Sequence, residues 1–266
     1  MLEKQKTYRQ EYRDSTPGWY RGELHLGFTL IFTIGTIYYC WGQLQSPTAW
    51  EWMLIIPMFL FGNYIEWAAH RYILHRPIKG LRMVYQRHVN SHHRFFTHDD
   101  LSFQDQKDWR ALLFPPFAPV MFVLSVVPIA LVLGAVWSAN AAYIAVIFMA
   151  GYYLMYEGLH TLSHVENSRF LDNIPLVNTV RRMHVIHHHP GLMQQRNFNL
   201  TFPICDAIFG TSDLEHGFWR TMFNGAKHEG MREEDRKRYE NFYRGKGARD
   251  PWPPRGERET KKLAEE

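Results

Sequence analysis

The sequence predicts an all-α integral membrane protein: a bundle of about four transmembrane helices with a cytoplasmic helical cap. Three observations predict it. Four long blocks carry no charge, every Lys and Arg falls in three separate stretches, and ten of the fifteen histidines gather at matching ends of the blocks. The hydrophobic fraction is 46% although mean hydropathy is only −0.33, so the apolar residues are concentrated rather than spread.

Taken in order, the start MLEKQKTYRQEYRD is polar and charged instead of basic and then apolar. It does not read as a cleavable signal, so the first span is expected to insert uncleaved, with residues 1–22 as a cytoplasmic segment. The blocks are Leu26 to Leu44, Trp52 to Tyr64, Ala111 to Trp137 and Ala139 to Tyr156. Each is long enough, or nearly so, for a hydrocarbon layer of about 30 Å at about 1.5 Å per residue. Glu51 and Glu66 flank the second block. The third contains Pro115, Pro116, Pro119 and Pro128, which predicts a kink or a half-buried start.

The 30 Lys and Arg divide as five in residues 1–21, eight in 71–110 and seventeen in 169–266. None lies between Gly22 and His70 or between Ala111 and Ser168, and the short connectors Gly42–Trp50 and Ser138–Ala139 fall inside those gaps. The positive-inside bias therefore puts both termini and the middle loop in the cytoplasm, of a bacterial inner membrane or endoplasmic reticulum, and both connectors on the far side. The net charge of +4 flanks membrane segments, which favours anionic headgroups over nucleic acid as its partner. Residues 23–244 read as one membrane-embedded domain, and the Pro- and Gly-rich charged stretch 245–266 as a flexible tail.

The histidines sort into His70 and His75; His88, His92 and His93; His160 and His164; and His184, His187 and His188. Two groups sit where the second and fourth blocks leave the membrane, and the other two lie in the cytoplasmic stretches that follow. All four can meet at one depth. Residues three or four apart share a helix face, which predicts that His160 joins His164, that His88 joins His92, and that His184, His187 and His188 act together. His70 and His75 are five apart, about 140° on an ideal helix, and need a helix end or a wide arc. Imidazole suits Zn, Cu, Fe and Ni, and ten ligands exceed one ion, so two metals are expected. Glu66 and Glu157, each one turn before a histidine, are placed to accept the second imidazole N–H. His189 is left over, and His25, His216 and His228 are expected to be dispensable for metal. Cys40 and Cys205 cannot pair across this topology or build an iron–sulfur cluster.

The stretches EWAAHRYILH, RHVNSHH, LHTLSH and HVIHHHPGLMQQRNFNLTFPICDAIFGT together resemble the fatty acid hydroxylase superfamily, which includes sterol desaturases and sphingolipid and fatty acid hydroxylases. The resemblance runs from about the second span to Thr211. It implies a membrane oxygenase or desaturase with a histidine-bound di-iron centre, zinc being able to replace iron on purification. It assigns His70, His75, His88, His92, His93, His160, His164, His184, His187 and His188 as ligands. Three residues separate His88 from His92 here, where many relatives have two. Dioxygen, two electrons and protons at such a centre give an oxidant able to take hydrogen from an unactivated C–H bond of a bilayer lipid. Carotenoid hydroxylation or desaturation is the alternative within this chemistry, and a non-redox metal transporter or metal-binding protein is the alternative outside it. No dinucleotide fingerprint or cluster motif is present, so electrons are expected from a ferredoxin or a b-type cytochrome with its reductase. Arg181, Arg182 and Arg196 are expected to steer that acidic donor.

Overall fold

A computed structural model describes residues 2–165, 170–215, 217–225 and 230–243. The tail 245–266, His216 and His228 lie outside the described residues. The described chain is all-helical and contains four helices long and apolar enough to cross a membrane. In order, the principal helices are α1 (Leu2–Ser15), α2 (Gly22–Gly42), α3 (Ala49–Leu74), α4 (Arg82–Tyr85, running on through Gln86–His92), α5 (Trp109–Leu112), α6 (Ala118–Val136) and α7 (Ala139–Ser163). They continue with α8 (Val177–His187), α9 (Ile204–Ile208), α10 (Phe218–Phe223) and α11 (Glu233–Tyr243).

The spans are α2, α3, α6 and α7, and α7 is the central one, packed against the other three. Its buried face carries Ala141, Ala145 and Ala150 beside Ile144 and Met149, and small side chains let helices approach closely in a bilayer. Gly62 on α3 serves the same end, since a Cβ there would stand 3.1 Å from the Tyr152 ring. The outer faces expose Ile31, Ile56, Leu131 and Val132, as lipid contact requires. Trp41, Trp50 and Trp137 are exposed at the connector end, where indole rings favour the interface.

Glu51 fastens that end. It completes a capping box with Thr48 at the start of α3, and it accepts a 2.5 Å hydrogen bond from Ser138, which itself caps α7. The third apolar block does not form one helix. Leu113 is extended, and α6 begins only at Ala118, because Pro115 and Pro116 supply no N–H and push their predecessors out of the helical region.

The N-terminal helix lies against the cap. Arg9 and Gln5 both donate to the Phe95 carbonyl, and Arg13 makes a bidentate pair with the fully buried Asp108. Tyr8 and Tyr12 pack on the Phe95, Phe96, Ala111 and Leu112 cluster. The link to α2 is close: a Cβ on Gly22 would fall 2.3 Å from the Trp109 side chain, so only glycine fits.

Candidate metal centre

Four backbone segments bring the histidines together, and two of them do so with an unusual turn. At the end of α3 the chain passes into a π-helix, His70–Leu74, closed by His75 N donating to His70 O at 3.2 Å. The wider i→i+5 turn sets the fifth residue above the first, and this brings together the two rings that an α-helix would hold about 140° apart. The stretch Gln86–His92 repeats the device, with His93 N donating to His88 O. His160 with His164, and His184 with His188, keep the α-helical spacing of four.

The result is two compact groups. His70, His75, His88, His93 and His187 form one, and His92, His164, His184 and His188 the other, each with its ligand atoms within 4.8 Å of one another. In the first, Nε2 of His75 stands 3.2 Å from His70, 3.1 Å from His88 and 2.9 Å from His187, and Nε2 of His93 is 3.1 Å from His88. In the second, His92 to His188 is 3.2 Å, His184 to His164 is 2.9 Å and His188 to His184 is 3.0 Å. His160 borders this group, 3.3 Å from both His92 and His164. The rings of His93 and His188 stack at 4.2 Å across the boundary.

Two face assignments from spacing are thereby corrected. His88 pairs with His93 and not with His92, because the turn between them is π and not α. His187 leaves His184 and His188 for the first group, since on an α-helix it points about 100° away from His188 and about 60° to the other side of His184.

The second ring nitrogens explain why these contacts are not ordinary hydrogen bonds. Nδ1 of His70, His187, His92, His164 and His188 faces the carbonyls of Phe198, Arg196, Ala111, Leu101 and Phe96 at 2.5–3.0 Å. A carbonyl only accepts, so each Nδ1 carries the proton and each Nε2 of a neutral ring presents a bare lone pair. His92 and His188 therefore point lone pairs at each other across 3.2 Å, with no proton to share. A cation between them resolves this. With metal–nitrogen bonds of about 2.1 Å, nitrogen separations near 2.9–3.3 Å subtend roughly 90–100°, an ordinary coordination angle. The residues fit a pair of metal ions.

Glu66 and Glu157 do not take the role expected of them. Glu66 accepts from Leu200 N, Thr201 N, Thr201 Oγ1 and Tyr152 OH, and Glu157 from Tyr153 OH and Phe114 N. Backbone carbonyls fix the tautomers instead. Spacing along one helix could not reveal this, because the carbonyls come from outside the histidines' own helices, most of them from loops far away in sequence.

Those loops are held by a polar network that the sequence reading did not single out. Asp206 accepts from the N–H groups of Phe198 and Asn199 and from Thr211. Asn197, in the left-handed region at φ 59, donates to Met183 O and Asp213. Arg182 is 1% exposed and bidentate to the equally buried Asp213. Arg196 pairs with Glu234 and Asp235, and Arg181 with Asp172 and two carbonyls. These three arginines are thus structural and not a free steering surface. The Asn and Asp residues of NFNLTFPICD were the available signal.

Burial sets the electrostatics. It pushes His92 and His187 down to about 4, and His75, His88, His93, His164, His184 and His188 well below the usual imidazole range, with neighbouring histidines adding to the effect in this second set. Neutral imidazole is the form that binds a metal. Phe96 and Phe198, both fully buried, wall the two groups and keep water out. His189 joins neither group, since its ring stacks on Tyr239 at 4.5 Å and lies 4.6 Å from His98. His25 is remote, bonded to Tyr20 OH and Phe114 O.

The model of one family, described as Fatty acid hydroxylase, matches residues 55–211, from within α3 to the end of the NFNLTFPICDAIFGT stretch. No curated protein and no solved structure matches the chain.

Proposed function

The chain belongs to the fatty acid hydroxylase family, an oxidoreductase family of membrane enzymes, and we propose that it is a di-iron oxygenase. In this reading it hydroxylates a C–H bond of a fatty acyl, sphingolipid or sterol-type lipid with dioxygen and external electrons. The ten histidines, His160 included, are its ligands. The observation that carries the reading is the pair of opposed lone pairs at His92 and His188, set inside two groups of buried imidazoles at the ends of α3 and α7.

Bound iron would supply dioxygen activation. What the chain supplies is geometry and dryness. Five backbone carbonyls hold Nδ1–H and so orient five rings before any ion arrives. Phe96 and Phe198 exclude water from the neighbourhood of the reacting carbon. The site stands where the spans leave the membrane, which suits a substrate sliding from the bilayer and a donor approaching from the cytoplasm. The positive-inside distribution of Lys and Arg supports this orientation, with both termini cytoplasmic.

A metal transporter fits less well, because transporters place ligands near the bilayer midplane and these histidines stand at the span ends. The deciding experiment expresses the chain, beside a His160→Ala, His164→Ala control, under isotopically labelled dioxygen and compares extracted lipids by mass spectrometry. A labelled hydroxyl that requires the intact chain is the expected result. An unlabelled product two hydrogens lighter would make it a desaturase. Unchanged lipids with altered cellular iron or zinc would replace the oxygenase reading with the transporter one.

A further inference from the structure

We infer that residues 201–209, which follow the last histidine group in sequence, re-enter the bilayer and contact acyl chains in the leaflet on the histidine side. The inference rests on α3 crossing the membrane and on nothing about the reaction. Glu51 and Arg71, near the two ends of α3, are twenty residues apart, or about 30 Å along a helix, the thickness of the hydrocarbon layer. Asn63 therefore lies about 12 Å inside the Arg71 boundary, and Phe59 about 18 Å inside it.

The 201–209 segment touches both. Asn63 Nδ2 donates to the Phe202 carbonyl at 2.7 Å, and the Phe202 ring sits 5.4 Å from the Phe59 ring. Farther out, Phe209 stacks on Trp67 at 4.4 Å. A cap helix lying on the membrane surface would reach neither Asn63 nor Phe59.

Irregular backbone is tolerated at that depth only when protein groups satisfy it. Two polar side chains of α3, Glu66 and Asn63, do this. Glu66 takes the N–H groups of Leu200 and Thr201, and Asn63 takes Cys205 N while donating to Phe202 O. Their presence in the middle of a span is thereby explained. On its outer side the segment shows Ile208 at 65% and Phe209 at 47% exposure, beside the lipid-facing Tyr64 of α3. That continuity with the span's outer face makes acyl chains the occupant.

The test uses the full chain, metal-loaded and reconstituted in phosphatidylcholine liposomes, with Cys40 and Cys205 replaced by alanine and a nitroxide attached to Ile208→Cys. Collision with dissolved oxygen, which partitions into lipid, is compared with collision against a water-soluble nickel chelate. Lys79→Cys on the exposed loop is the aqueous control. The expected result is a several-fold excess of oxygen over nickel collisions at position 208 and the reverse at 79. Nickel collisions at 208 equal to those at 79 would overturn the inference. So would low collision with both reagents together with dipolar broadening, which would assign the surface to a second copy of the chain. A second measurement leaves the chain unaltered: a lipid with a photoactivatable group in its acyl chain should mark residues 207–209, and marking confined to the spans would refute the inference.

Discussion

Replacing Glu66 by alanine should unlock the loop that orients His70, and the size of the effect follows from what the carboxylate holds. It accepts four hydrogen bonds, among them Thr201 N at 3.0 Å, Thr201 Oγ1 at 2.6 Å and Tyr152 OH at 2.5 Å. The two hydroxyls already lie 2.8 Å apart and can bond to each other when the carboxylate is gone. The N–H groups of Leu200 and Thr201 have no such recourse. Each buried donor left unmatched costs about 1–3 kcal/mol, so the loss is about 2–6 kcal/mol, a large share of a typical stability of about 5–15 kcal/mol. In detergent the melting temperature should fall on the order of 10 °C. Metal content should drop with it, because Phe198 O, two residues before Leu200, holds Nδ1 of His70. Glu66→Gln keeps an oxygen for the two N–H groups and should cost only about 1 kcal/mol. A melting temperature for the alanine variant within a degree or two of the parent would refute the reasoning. Equal damage from glutamine and alanine would show that the charge matters and not the acceptor.

Elemental analysis of purified protein should give two metal ions per chain, and a His92→Ala, His188→Ala variant should retain one, held by the five-histidine group; loss of both or of neither contradicts the partition. Arg182→Ala should cost about 3–5 kcal/mol by leaving Asp213 buried and unpaired, seen as a lowered unfolding midpoint, whereas Arg94→Ala, which loses only an exposed contact with the Tyr8 ring, should cost no more than about 1 kcal/mol. After chelation, stability should fall as pH drops from about 6.5 to about 4. His92 and His187 titrate near 4 when folded against 6.5 ordinarily, so between those values the unfolded chain binds more protons, and stability is whole only above the upper one. Asp206, raised by burial to about 6, opposes this as a single group against many. A melting temperature of the stripped protein that is the same at pH 5 and pH 7.5 would exclude the effect.

The spans were legible in the sequence because hydrocarbon thickness and the cost of charge act on composition directly. The ten histidines were legible as one site because they recur at matching ends of two span pairs. Their partition was not. The five-residue steps from His70 to His75 and from His88 to His93 announce a difficulty for an α-helix, yet only the folded backbone shows that π turns resolve it. Glu66 misled for a related reason. A carboxylate one turn before a ligand suggests service to that ligand, but the backbone groups it holds are more than 130 positions away. Arg182 looked like surface charge because nothing local marks Asp213 as its partner.

The two histidine groups share chain as well as space. His92 and His93 are consecutive and serve different groups, and so are His187 and His188, with ring centres 5.5 Å and 6.1 Å apart. Consecutive Cα atoms are held about 3.8 Å apart by covalent bonds and a planar amide. The separation of the groups is therefore templated at two points by the stiffest part of the polymer and not by helix packing, which yields to bilayer thickness, lateral pressure and temperature. The spans can tilt or breathe with their membrane while the interval between the groups stays in gauge.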